Sequence, residues 1–154
     1  MDYISYIRSK VGHDKIMINF AGGILYHDGK ILLQKRADKK IWNLPGGAIE
    51  LGESAVQACK REFLEETGLH VEPISLQNIY TMYEDSYPNG DRLQNITTIY
   101  VVQAEEIGDL TQFKNEETLE LGFFTQEEIA DLQLSQRHRD MIADFFAEPP
   151  PLER

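Results

Sequence analysis

The 154 residues carry 26 acidic against 15 basic side chains, a formal net charge of −11. Such a surface repels a phosphate backbone and argues against a duplex-binding module. The length suits one domain that closes a core without disulfides. Cys59, the single cysteine, excludes an internal disulfide and makes a reducing compartment, the cytoplasm, the expected location. No apolar run approaches the ~20 residues of a membrane span, and MDYISYIRSK lacks the apolar core and cleavage site of a secretory signal. A small anionic ligand remains compatible with this charge wherever a cation or an arginine reverses the sign in one cleft.

In chain order, residues 15–26 (KIMINFAGGILY) read as a strand, with Gly22-Gly23 marking a bulge or a close approach of another backbone. Asp28-Gly29 is a two-residue hairpin turn and ILLQKR (31–36) the returning strand. Residues 37–53 read as irregular, punctuated by Pro45, Gly46, Gly47 and Gly52. Ser54 and Gln57 form a capping box that opens a helix from Ala55 to Thr67, and Gly68 is placed to end it in the left-handed conformation. Strands are expected at 71–83 and 92–104, separated by the turn-forming DSYPNGD, and at LELGFF (119–124). Thr125 caps a short helical turn, and 135–146 reads as a final amphipathic helix. These elements predict an α/β (α+β) fold with a mixed sheet, as a single domain over 1–147. The prolines of EPPPLER predict a flexible, extended tail at 148–154.

The chemistry concentrates in the glycine loop and the helix after it. At ~100° per residue, Glu62, Glu65 and Glu66 fall within one arc of roughly 100°. Ala55 and Ala58 lie on that arc too, leaving room beside the carboxylates. Val56, Cys59, Phe63 and Leu64 make the apolar arc expected to face the sheet. A passive, solvated glutamate face is the competing reading, because like charges at i, i+4 cost only a few tenths of a kcal/mol. The loop Pro45-Gly46-Gly47 tips the balance, since it lets the backbone approach a ligand closely. Carbonyl and carboxylate oxygens together are what hard divalent cations prefer.

Gly47-x5-Glu53-x7-Arg61-Glu62-Phe63-x-Glu65-Glu66-x-Gly68-Leu69 resembles the complete signature of the Nudix (MutT-like) hydrolases, GX5EX7REUXEEXGU, without a gap. Phe63 stands where that family usually has an aliphatic residue, which bears on packing rather than chemistry. The flanking ILLQKR, WNLPGG and LELGFF also look like the family's surroundings, so the resemblance spans about residues 15–130.

The resemblance implies an α/β/α sandwich around a mixed central sheet, and a metal-dependent pyrophosphohydrolase. Its substrate would be a nucleoside diphosphate linked to another moiety, and its cofactor Mg²⁺, with Mn²⁺ able to replace it. It assigns Glu62, Glu65 and Glu66 as metal-binding carboxylates, the Gly46 carbonyl as a further ligand, and Glu50 as a ligand through water. Arg61, partnered by Glu53, would orient a glutamate. Glu62 is the first choice of general base, with Glu117 an outside candidate. Arg36 and Gly47 would meet the substrate phosphates, and Tyr87 the substrate's remainder. Tyr80, Tyr83 and Tyr87 could each stack a base, with core packing the competing reading for all three; Cys59 is read as packing, and the four histidines as surface or core.

Two alternatives accompany this reading. Tyr87 lies 18 residues past Leu69, where dinucleoside polyphosphate hydrolases of the family tend to carry a tyrosine. A non-catalytic, nucleotide-sensing Nudix domain would keep the fold but usually loses box glutamates. A small nucleotide-type partner is expected, without duplex nucleic acid or membrane, and with a homodimer as the family's common assembly.

Overall fold

The computed structural model describes residues 1–147 and 149–154. Its elements are α1 (Tyr3–Val11), β1 (Ile16–His27), β2 (Lys30–Arg36), β3 (Trp42–Asn43), β4 (Gly46–Ala48), α2 (Ala55–Thr67), β5 (Glu72–Ser86), β6 (Arg92–Gln103), β7 (Thr118–Phe124), α3 (Gln126–Ala130) and α4 (Gln136–Phe146). The seven strands among the described residues form a mixed sheet, with β3, β2, β1, β6 and β5 neighbours in that order, β4 paired to β1 and β7 to β2.

β1 is the pivot. Ile16–Leu25 pairs in parallel with Leu93–Val102 of β6. Phe20, Ala21 and Gly22 pair antiparallel with Ala48, Gly47 and Gly46, and the strand's end closes the hairpin onto Ile31 and Lys30. The hairpin turn needs left-handed backbone at Asp28 (φ 51°) and Gly29 (φ 76°), which Asp-Gly supplies at low cost. A Cβ on Gly22 would sit 2.6 Å from the Pro45 carbonyl oxygen, and one on Gly46 would sit 2.6 Å from that of Ala21. The glycine loop is therefore seated directly on the sheet.

Both faces of the sheet are covered. Ala21, Leu25, Leu32 and Val102 pack beneath Cys59 and Phe63 of α2. Ile24, Ile31, Leu33, Tyr80 and Ile99 pack with Ile129, Met141 and Ile142 of α3 and α4. This is the expected α/β/α layering. Fully burying a side chain such as Phe63 stabilises by roughly 1.5–3 kcal/mol, so these two clusters fix the angle at which α2 lies on the sheet.

Several expectations are revised. α1 was not anticipated, and the stretch read as irregular contains β3 and β4. β5 runs on to Ser86, so the β5–β6 turn is shorter than DSYPNGD. Val56 and Leu64 do not face the sheet; they are 40% and 42% exposed. Leu64 lies ~100° past Phe63 around the helix, which carries it off the packed face, while Val56 sits in the first turn. The buried positions of α2 are Ala58, Cys59, Phe63, Glu66 and Thr67. The expected tail begins on Glu148, outside the described residues, but Arg154 is tied down. Its carbonyl accepts from the Thr81 amide at 2.7 Å, and its guanidinium pairs with buried Asp144 at 2.9 Å.

Candidate active site

Both ends of α2 form as expected. Ser54 and Gln57 make both bonds of the capping box, and Gly68 is left-handed at φ 76°. Arg61 then joins the helix to the loop. Its Nε and Nη2 grip Glu53 at 2.6 and 2.9 Å, and Nη2 also donates to the Ala48 carbonyl at 3.0 Å. Nη1 donates to Glu62 at 2.8 Å and reaches Glu65 at 3.5 Å. Glu53 accepts in addition from the Glu50 amide at 3.0 Å. The hydrogen bonds from Arg61 hold the Glu53 carboxyl below its usual range. A bidentate guanidinium fixes direction as well as charge, so Arg61 holds one face of Glu62 and leaves the rest of that carboxylate to the cleft.

Carboxylate oxygens of Glu62, Glu66 and Glu117 come within 4.8 Å of one another. Glu66 is 1% exposed and accepts a hydrogen bond from the Gly46 amide at 2.8 Å, with Arg36 Nη1 4.0 Å away. Burial, reinforced by the neighbouring Glu62 charge, pushes the Glu66 carboxyl up to about 8. Burial also raises Glu62, against the pull of Arg61. Two ionised carboxylates at such a separation repel by about 3 kcal/mol at an effective dielectric of ~20. The donor set is all oxygen and convergent, the kind of set that hard divalent cations take.

Gly47 serves this cluster sterically. A Cβ there would lie 2.4 Å from the Glu62 carboxyl carbon, so any side chain would displace the glutamate. Glu117 arrives from the loop before β7. Asn115 accepts from the Glu117 and Thr118 amides, each at 2.9 Å, and donates to the Glu65 carbonyl at the end of α2 at 2.8 Å. Thr118 Oγ1 donates to the Glu66 carbonyl at 2.9 Å and accepts from buried Gln34 at 2.8 Å. Asn115, Gln34 and Thr118 were not singled out from sequence. The available signal was an amide, Gln34, closing the apolar run Ile31-Leu32-Leu33 in a strand.

Not every predicted residue converges. The Glu65 side chain is 51% exposed and turned back toward Arg61, outside the cluster that Glu117 completes. The Glu50 carboxylate accepts from the Tyr3 amide at 2.7 Å instead of joining the other three. Gly46 does line the cleft with them, and its amide donates to Glu66. Arg36 is gripped by Asp38 through two 3.0 Å bonds while still facing Glu66. Tyr87 lines the same cleft, which has a volume of about 440 Å³ and also takes in Arg36, Gly47, Glu50, Glu62, Glu66 and Glu117. Tyr80 and Tyr83 are core-side, with their hydroxyls on Asp144 at 3.0 Å and Asp140 at 2.5 Å. Cys59 is fully buried, its thiol pushed up to about 12 by burial, and is inert packing. His138 is buried and accepts from the Leu44 amide at 3.2 Å.

A mixed sheet lies between helices and carries a glycine loop, an arginine-locked helix and three convergent carboxylates. Residues 19–145 match the model of the NUDIX domain, and the chain belongs to that family. A MutT-like protein of Streptomyces ambofaciens is 41% identical over 63 residues, 41% of this chain and 41% of that protein. The chain thus aligns with under half of that relative's length. An ADP-ribose pyrophosphatase of Methanocaldococcus jannaschii is 33% identical over 128 residues, 80% of this chain and 70% of that one. Among solved structures, a NUDIX hydrolase of Nitrosomonas europaea superposes with a TM-score of 0.71 at 25% identity, covering 87% of this chain and 91% of that one. Among the described residues no helix is long and apolar enough to cross a membrane.

Proposed function

We propose that the chain is a Mg²⁺-dependent pyrophosphohydrolase, with Mn²⁺ able to substitute, that cleaves a phosphoanhydride bond in a nucleoside diphosphate linked to another moiety. The observation that carries this is the approach of Glu62, Glu66 and Glu117 to within 4.8 Å in a cleft that also holds Arg36. These three carboxylates would hold the cation, with Glu50 and Glu65 reaching it only through water. When bound, the ion supplies Lewis-acid charge and lowers the pKa of coordinated water.

The protein's own groups do the rest. Arg36, steadied by Asp38, meets the phosphate oxygens and offsets their charge. Glu62, oriented by Arg61, accepts the proton of the attacking water. Glu53 and Arg61 are positioning residues, and Gly47 keeps space open for the base. The Methanocaldococcus jannaschii relative named as an ADP-ribose pyrophosphatase makes ADP-ribose the first substrate to try, ahead of dinucleoside polyphosphates. The same reading takes a cytoplasmic homodimer as the working form.

The test is release of phosphate or mononucleotide from a panel of nucleoside triphosphates, ADP-ribose and dinucleoside polyphosphates, with Mg²⁺ and with EDTA. Wild type is compared with Glu66→Gln. Turnover that needs Mg²⁺ and disappears in the variant is expected. Activity that survives both changes would overturn the assignment, and binding without turnover would favour a nucleotide sensor.

A further inference from the structure

α1 is a helix without a core. None of its nine residues is fully buried, and a helix this short is marginal in water on its own. Polar ties hold it at both ends instead. At its start the Tyr3 amide donates to Glu50 in the glycine loop at 2.7 Å. Further along, Arg8 donates to the Gly12, Asp14 and Arg92 carbonyls at 3.0, 2.7 and 2.7 Å, and its Nε lies 3.6 Å from Asp91. Asp91 belongs to the tight turn that carries Tyr87, closed by the Tyr87 amide donating to the Asp91 carbonyl at 2.9 Å. His13 adds a 2.6 Å bond to the same aspartate. Arg8 and Asp91 therefore fasten α1 and the Tyr87 turn into one unit.

That unit walls the cleft away from the carboxylates. Beyond Glu62, Glu66 and Glu117, the cleft is lined by Ile4 of α1 with Ile18, Phe20, Leu93, Tyr87 and Asn89. Lys39 Nζ lies 4.9 Å from the centre of the Tyr87 ring, which steadies the ring at the cleft edge. These apolar and aromatic side chains, set among Asp2, Arg8 and Asp91, suit a flat group with apolar faces and hydrogen-bonding edges.

Resting on the function proposed above, we infer that α1, which lies outside the NUDIX match at residues 19–145, is a specificity wall. Ile4 and Tyr87 take the base of the nucleotide whose diphosphate lies against the carboxylate cluster. Arg8 and the Tyr3 amide act as positioning groups. Selection thus falls on the nucleoside half of the substrate, and a segment outside residues 19–145 makes it together with Tyr87 inside them.

The experiment measures kcat and KM with Mg²⁺ on the best nucleotide of the panel. Ile4→Ala and Arg8→Ala should each raise KM about tenfold, the low end of what one or two lost apolar contacts cost in discrimination. kcat should stay within about threefold, the signature of lost binding without lost chemistry. Tyr3 occupies the first helical position, where proline is tolerated. Tyr3→Pro removes only one more group than Tyr3→Ala, the amide that holds Glu50, and should raise KM further. Tyr6→Ala, which truncates an exposed side chain of the same helix, should match wild type. KM values for Ile4→Ala and Arg8→Ala equal to wild type, or losses confined to kcat, overturn the inference. If wild type turns nothing over, calorimetry with a nucleoside α,β-methylene diphosphate and Mg²⁺ decides. Binding weakened by Ile4→Ala upholds the wall while the hydrolytic reading fails. No binding, or equal binding by variant and wild type, sinks the wall.

Discussion

The loop and helix of residues 46–68 and the β5–β6 hairpin line one cleft, but they are built on opposite terms. In the first, positions are over-determined. Arg61 touches Glu53, Glu62, Glu65 and Ala48, and Gly46 and Gly47 leave no space for a Cβ. In the second, β5 forms one end of the main strand order, slips register at three places against β6, and exposes Ile74, Leu76, Ile79 and Met82. Yet Tyr87 sits at the end of that hairpin. Chemistry needs oxygens held to fractions of an ångström, because misplacement by about 1 Å can cost ~100-fold in rate. Contact with an apolar group tolerates more variation, since its energy scales with area rather than direction.

The contrast can be broken from either side. Glu62→Gln should show the largest effect, a fall in kcat of about 10²–10⁴-fold, as for loss of a general base. An equal loss at Glu117 with Glu62→Gln near wild type would move the base to the loop. Gly47→Ala should cost up to about 100-fold by displacing Glu62, with thermal unfolding little changed. A structure of that variant with Glu62 unmoved would refute the steric account. Tyr87→Ala should act on KM, by about tenfold, in the range of lost base stacking on an aromatic ring. A matching drop in kcat would place Tyr87 among the chemical groups and erase the distinction between the two regions.

The smallest effect is one of stability in the metal-free protein. Glu66 ionises near 4.5 when unfolded and at about 8 when folded, so folding takes up a proton between those values. Its contribution is favourable at low pH and is lost as pH rises through that window. His138 runs the other way, because burial holds its folded pKa well below 6.5 and stability falls as pH drops beneath 6.5. Above pH 6.5 the His138 contribution fades, and the Glu66 slope, at most about 1.4 kcal/mol per pH unit, acts in the same sense as that of Glu62, which burial also raises. Urea unfolding in EDTA should lose stability between pH 6.5 and about 8, and Glu66→Gln should make the curve shallower. An unchanged slope in the variant would show that Glu66 is not its source.

Much of the chemical half was legible in the residues themselves. The capping box at Ser54, the left-handed Gly68, the hairpin at Asp28-Gly29 and the pairing of Arg61 with Glu53 all follow from local rules, because each depends on neighbours within about two helical turns or one turn of chain. Helical periodicity likewise placed Glu62 and Glu66 together. It could not decide which edge of the glutamate arc would be buried, since that depends on how α2 docks against β1 and β6. Docking buried Glu66 and turned Glu65 and Leu64 outward. Glu117 reached the cluster through Asn115, 50 residues from the Glu65 carbonyl it binds. α1 has no buried stripe to announce it, and its anchors lie 47 and 84 residues away at Glu50 and Arg92. The sequence by itself determined the carboxylate-bearing helix, because its constraints are local. Only the tertiary structure decided which carboxylates converge and what walls the cleft, because those contacts join segments that no local pattern relates.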